Sequence, residues 1–216
     1  MSTLPAVLFD ADGVLQHAHH DWAEALDAVG REGFASVVFA HELPAMRGEA
    51  TMRDCLAAAA EAHGVVIDLD GVLELWRRFD VDDEALAIVA DVRRAGHAVH
   101  LATNQQDVRR DVMSPRYAGV FDEEFYSCEL GACKPSTAFF ERMLARLGLE
   151  ASGAVFVDDS PRNVEAAASC GMTALLHEPS SGPDGLRGRL AAAGVQMCPR
   201  VADGDENRRG GQDSRM

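Results

Sequence analysis

No apolar run in the 216-residue chain approaches the roughly 18–20 residues that a bilayer-spanning helix needs, and charges interrupt every long apolar segment. A transmembrane anchor is therefore not expected. The first twelve residues hold no basic cluster and run into Asp10, so they do not read as a secretory signal. The five cysteines, Cys55, Cys128, Cys133, Cys170 and Cys198, form no CxxC pair and follow no regular spacing. That argues against a disulfide framework and for reduced thiols in a cytoplasmic protein, most of them small core residues. Positive charge is also scarce: 20 Lys and Arg stand against 35 Asp and Glu, a net −15. Such a chain repels nucleic acid and anionic membranes at long range. It would repel a phosphate too, unless its site holds a cation or clustered donors. No internal repeat shows at periods of 20–50 residues. Residues 203–216 contain no Val, Leu, Ile or Phe and read as a disordered tail.

What is present is ordinary globular composition, with 47% hydrophobic and 25% charged residues, and a length that suits one domain carrying an insertion. Five short runs read as strands: Ala6–Phe9, Ala98–Ala102, Glu124–Ser127, Ala154–Val157 and Thr173–Leu176. All but the third are almost wholly apolar, as strands buried on both faces of a parallel sheet are. Helical patterns separate the later ones. Asp83 is placed to cap a helix whose inner face holds Leu86, Val89 and Val92, ended by Gly96. Ser136 precedes a helix with Phe139, Phe140, Met143, Leu144 and Leu147 inward, ended by Gly148. Ser160-Pro161 is a cap followed by a proline at the first helical position, and Gly171 closes that helix. Strands alternating with helices predict a doubly wound α/β sheet.

The span between the first two strands is too long for one crossover. From Gln16 to about Val81 the pattern is helical throughout. One stripe is Trp22, Ala25, Leu26 and Val29, a second Met52, Leu56, Ala59, Ala60 and His63, a third Val72, Leu73, Leu75, Trp76 and Phe79. The expected organisation is a discontinuous core (1–15 and 82–200) with a helical cap (16–81) inserted after the first strand.

Ligands of open α/β sheets bind at the carboxyl ends of the strands. Asp10-Ala11-Asp12-Gly13-Val14 follows the first strand, Thr103-Asn104 the second, Lys134-Pro135 the third, Asp158-Asp159 the fourth. Each element alone suits a turn, a loop or a helix cap. Together, in this order, they bring carboxylates, a hydroxyl and an ammonium to one face. Converging acidic groups repel one another unless a cation sits among them. Oxygen ligands select a hard ion such as Mg²⁺, which would also make an acidic pocket attractive to phosphate.

FDADGV (9–14), LATN (101–104), CKP (133–135) and VFVDDSPRNVEAA (155–167) resemble the haloacid dehalogenase superfamily of phosphohydrolases. The resemblance covers about residues 5–178. The inserted segment is similar to the small helical cap of its first subclass. Residues 101–177 are most similar to its sugar-phosphate phosphatases and to the phosphatase domains joined to epoxide hydrolases. The resemblance implies a Mg²⁺-dependent phosphatase acting on a small phosphorylated metabolite through an aspartyl-phosphate. Asp10 would be the nucleophile. Asp12 would protonate the leaving alkoxide and then activate water, its backbone carbonyl also binding the metal. Asp10, Asp158 and Asp159 would complete the metal ligands. Thr103, Asn104 and Lys134 would hold the phosphate, Lys134 also steadying the nucleophile. Asn163 either supports the acidic loop or is a plain polar residue of the first helical turn.

A phosphomutase, a haloacid dehalogenase or a non-catalytic phosphate-binding module would share the fold. Dehalogenases lack the second Asp of the first motif, so Asp12 argues against that reading. In the cap, Arg47 and Arg53 flank Gly48, and either is a candidate to grip the leaving group. The alternative is that both are solvated and pair with Glu42, Glu49 or Asp54. His17, His19 and His20 read as a solvated linker rather than a metal tract, and Trp22 and Trp76 as cap core. A monomer or homodimer is expected.

Overall fold

Strand β1 (Ala6–Phe9) lies at the centre of a five-stranded parallel sheet, entirely buried. Its neighbours are β4 (Val99–Thr103) and β6 (Ala154–Asp158), with β5 (Glu123–Tyr126) and β7 (Thr173–Leu176) at the edges in the order β5-β4-β1-β6-β7. These strands are those of a computed structural model, which describes residues 4–198; the tail expected at 203–216 lies outside them. Val7 pairs with Val99 on one side and Val155 on the other. The chain builds β4 and β5 to one side of β1 and then crosses to place β6 and β7 on the other. This reversal puts the switch point of the sheet between β1 and β6, where their carboxyl ends carry Asp10 and Asp158.

Alternation along β1 sorts two cores. Val7 and Phe9 face helices α6 (Asp83–Arg94) and α11 (Gly182–Ala192), while Leu8 faces α9 (Thr137–Leu147) and α10 (Pro161–Ser169). The second layer is aromatic. Phe139, Phe140 and Phe156 are fully buried, with successive ring centroids 5.5 and 5.2 Å apart, edge to face. Asp82, not Asp83, caps α6, its carboxylate accepting from the Glu84 and Ala85 N–H groups at 3.0 and 2.9 Å. Strand β7 is half-exposed at its edge, unlike the central strands, because only β6 covers it.

The segment after β1 is not helical from its start. Gln16–Ala18 (β2) and Phe79–Val81 (β3) form a two-stranded antiparallel ribbon, the two limbs by which the chain leaves and re-enters the core. Three residues per limb are too few for periodicity to show. Beyond it lie α1 (Trp22–Gly30), α2 (Phe34–His41), α3 (Leu43–Met46), α4 (Met52–His63) and α5 (Leu69–Leu73). They pack around Leu26, Phe34, Val38, Met52 and Leu56, all but unexposed. Val29, expected inward, faces solvent. Two further helices join the core, α7 (Asp107–Arg116) and α8 (Ser127–Leu130). Val108 of α7 enters the cap's apolar cluster. Asp107 accepts from the Met52 N–H at 2.8 Å, so cap and core are stitched together at the start of α4.

Candidate active site

Asp10 follows the last residue of β1, and its amide donates to the Val157 carbonyl at 2.9 Å, which fixes it against β6. Both hydrogen bonds to its carboxylate fall on Oδ1: the Ala11 N–H at 2.7 Å and Lys134 Nζ at 2.9 Å. Oδ2 carries neither of these bonds. Lys134 is buried to 4% exposure and divides three N–H donors among Asp10, Asp158 Oδ2 at 2.6 Å and the Ala102 carbonyl at 2.9 Å. Asp158 is fully buried. It also accepts from the Ser160 N–H at 2.8 Å and from Asn163 Nδ2 at 2.9 and 3.1 Å. Asn163 thus supports the acidic loop. Gly13 lies beneath Asp159 with φ +78°, and a Cβ there would overlap the Asp159 carboxylate.

Asp10, Asp158 and Asp159 each offer an oxygen within 4.8 Å of the others. Burial pushes the Asp10 carboxyl up to about 7. Lys134 opposes that shift, while Asp158 and Asp12 add to it. Asp159 is raised for the same reasons, burial first and then Asp158. Burial draws Lys134 down, but the two carboxylates outweigh it and its ammonium is held above the ordinary value. Three carboxylates facing one ammonium leave an excess of negative charge with oxygen-only donors. Those residues fit Mg²⁺.

The Asp12 side chain points away from this cluster. It accepts from Gln16 Nε2 at 2.9 Å and Arg109 Nη2 at 2.9 Å on Oδ1, and from Gln105 Nε2 at 2.6 Å on Oδ2. Thr103 is buried at the end of β4, its hydroxyl 3.3 Å from Gln105 Nε2. Asn104 borders the cleft, and its side chain pairs with the Lys134 backbone. The amide donates to the Lys134 carbonyl and accepts from the Lys134 N–H, both at 2.8 Å, holding the lysine's loop.

Above Asp12 opens a cleft of about 130 Å³ between cap and core, with Trp22, Phe39, Glu42, Trp76 and Arg109 among its walls. Burial pushes the Glu42 carboxyl up to about 7. The Trp22 and Trp76 rings lie 5.1 Å apart, so they line the cleft as well as packing the cap. Arg53 instead pairs with Asp70 of α5 at the surface, and Arg47 is exposed. Neither lines the cleft: Met46 does, Arg47 follows it exposed at the end of α3, and Arg53 lies on α4. His17 and His19 lie in exposed positions on and beside the ribbon, His19 Nδ1 meeting Asp80 at 3.0 Å, and His20 stands edge-on to Trp22. Sequence reasoning missed Gln105, Arg109 and Glu42. A weak helix pattern at Val108, Val112 and Met113 marks α7 but does not reveal that Gln105 and Arg109 meet Asp12.

The family model for haloacid dehalogenase-like hydrolases matches residues 4–171. The chain belongs to this hydrolase family. Among curated proteins, it is 34% identical over 132 residues to flavin mononucleotide hydrolase 1 of Arabidopsis thaliana, covering 60% of this chain and 46% of that protein. It is 44% identical over 100 residues to acyl-CoA dehydrogenase family member 10 of Mus musculus, 46% of this chain and 9% of that protein. The chain thus spans less than half the length of either relative. Solved structures share the fold. A magnesium complex of a haloacid dehalogenase family enzyme from Bacteroides thetaiotaomicron superimposes with a TM-score of 0.71 at 18% identity, covering 82% of this chain and 95% of that one. A predicted haloacid dehalogenase-like family hydrolase from Porphyromonas gingivalis gives 0.74 at 22%, covering 88% and 98%. No helix among the described residues is long and apolar enough to cross a membrane.

Proposed function

We propose that the protein is a Mg²⁺-dependent phosphatase that hydrolyses a small phosphomonoester through an aspartyl-phosphate on Asp10. The observation that carries this reading is the Asp10 carboxylate, with Oδ1 held by Lys134 and Ala11 and Oδ2 free, beside Asp158 and Asp159. Flavin mononucleotide hydrolase 1, a relative over 60% of the chain, supports the choice of phosphoester. Asp10, Asp158, Asp159 and the Asp12 carbonyl would hold the ion. When bound, Mg²⁺ offsets their charge and stabilises the transferring oxygens.

Asp10 Oδ2 forms a bond to phosphorus as the ester P–O bond breaks. Asp12 gives its proton to the departing alkoxide. It then takes a proton from the water that attacks phosphorus, breaking the bond to Asp10 and releasing phosphate. Lys134, the Thr103 hydroxyl and the Asn104 backbone N–H bind the phosphoryl oxygens. The substrate falls in the class of small phosphorylated metabolites, its leaving group occupying the cleft above Asp12.

The dehalogenase reading is disfavoured by Asp12, which that chemistry does not use. Asp10→Asn should fold normally and lower aryl-phosphate turnover by at least ~10³. Chelation of Mg²⁺ should abolish turnover in the wild type. Near-normal rates in the mutant, or full activity in excess EDTA, would sink the mechanism.

A further inference from the structure

Arg109 is a buried cation whose partners lie in three different parts of the chain. Its guanidinium is 2% exposed. Nη2 donates to Asp12 Oδ1 at 2.9 Å. Nη1 donates to the Trp76 carbonyl at 3.1 Å and the Arg78 carbonyl at 3.2 Å, the last residues of the cap before strand β3. The plane also rests over the Phe79 ring, 4.7 Å from its centroid, on that strand. Gln106 Oε1 accepts the Arg109 N–H at 2.9 Å and fixes where α7 begins.

A lysine at 109 would serve a point charge; only a planar fork reaches a carboxylate with one arm and two carbonyls with the other. An arginine placed for stability alone has no need to meet a half-exposed carboxylate at the mouth of the cleft. Gln16 and Gln105 complete a three-sided grip on that carboxylate. Three donors fix both its position and the plane in which its oxygens lie.

We propose that Arg109 is a positioning residue that ties the orientation of Asp12 to the returning limb of the cap. The inference rests on the phosphatase reading and on Asp12 as the group that protonates the leaving oxygen. Arg109 acts through Asp12 rather than on phosphate. Its removal therefore matters most where the leaving group needs a proton, and least where the leaving group departs easily as an anion.

The test is a series of ring-substituted phenyl phosphates of similar size, from unsubstituted phenyl to p-nitrophenyl, assayed with Mg²⁺. Wild type, Asp12→Asn, Arg109→Gln and Arg109→Lys are compared at matched folded fractions. In Asp12→Asn the rate should fall far more for phenyl than for p-nitrophenyl phosphate. Arg109→Gln should move that ratio in the same direction by about tenfold, through kcat rather than KM. Arg109→Lys should fall between wild type and Arg109→Gln. A uniform loss on all substrates overturns the proposal and leaves Arg109 a scaffold residue. A rise in KM with kcat and the ratio unchanged also overturns it, because Arg109 would then bind substrate directly. If Arg109→Gln does not fold, Arg109→Lys decides, an unchanged ratio overturning the proposal. If Asp12→Asn leaves the ratio unchanged, or the wild type turns over no aryl phosphate, the reading beneath fails and takes the inference with it.

Discussion

Lys134 is the one lysine of the sequence, set among 19 arginines. Its neighbours explain why an arginine does not replace it. Two carboxylates and a carbonyl surround a single nitrogen at 2.6–2.9 Å, one acceptor for each proton of an ammonium. A guanidinium carries five N–H groups across a plane and would leave donors unpaired in a buried site. Lys134→Met should be worse, since Asp10 and Asp158 would be left buried without a counter-charge. Breaking a buried pair in this way costs roughly 3–5 kcal/mol. Urea unfolding in EDTA should show a loss of unfolding free energy of that size for Lys134→Met, with turnover lost. Lys134→Arg should also be inactive, although it keeps the charge. An active Lys134→Arg enzyme would mean that charge alone suffices.

At the scale of elements, the contact between cap and core turns on small residues and helix ends. Gly48, in the turn between α3 and α4, has φ +68°, and a Cβ there would strike the Cys128 carbonyl at the start of α8. Gly48→Ala should therefore combine backbone strain with a backbone clash and push the cap off the core. A loss of stability of about 1–3 kcal/mol is expected, with faster proteolysis within residues 42–52. Unchanged proteolysis would show that the cap does not bear on the core there.

The same scale explains what was legible beforehand. FDADGV and VFVDDSPRN each span the end of a run apolar enough to mark a buried strand, so Asp10, Asp158 and Asp159 can be brought together from the sequence, and the resemblance adds Lys134 after the weaker third strand. Arg109 cannot. Helix α7 reads DVRRDVMSPR, mostly polar with Pro115 in its last turn, and Arg109 meets Asp12 across 97 residues. Glu42 was equally hidden, because a glutamate in a helical cap signals a solvated face until packing buries it. The arginines of the cap lie outside the cleft for the converse reason. Charge types are visible in a sequence, but their direction is not: Arg47 stands exposed at the end of α3, and Arg53 of α4 pairs with Asp70.

For the whole molecule, the carboxyls at the junction of cap and core set a pH dependence. Asp10 and Glu42 are each pushed up to about 7 from ordinary values near 4, burial being the main cause for both. Between pH 4 and 7 the folded protein therefore keeps protons that the unfolded chain has released. The contribution of these two carboxyls is greatest at the acid end of that window and is lost as pH rises through it, while His20, His100 and His177, whose pKa values burial lowers, oppose it below about pH 6.5. The formal charge of −15 at neutral pH acts in the same direction as the carboxyls through self-repulsion. Without divalent cation, these two carboxyls should lower Tm between about pH 6.5 and 7.5, with little further loss above. Mg²⁺ should compete with the protons on Asp10 and Asp159, so it should raise Tm strongly at pH 8 and little at pH 5.5. Glu42 lies in the cleft rather than in that cluster, so its share of the slope should survive saturating Mg²⁺. Glu42→Gln should remove this remainder, raising Tm above pH 7 by several degrees and leaving it nearly unchanged at pH 5. Two thermal-melt series with Mg²⁺, wild type and Glu42→Gln from pH 5 to 8.5, measure the difference. Parallel curves would mean that Glu42 ionises in the cleft at no cost, and that the cleft is wetter than its aromatic walls suggest.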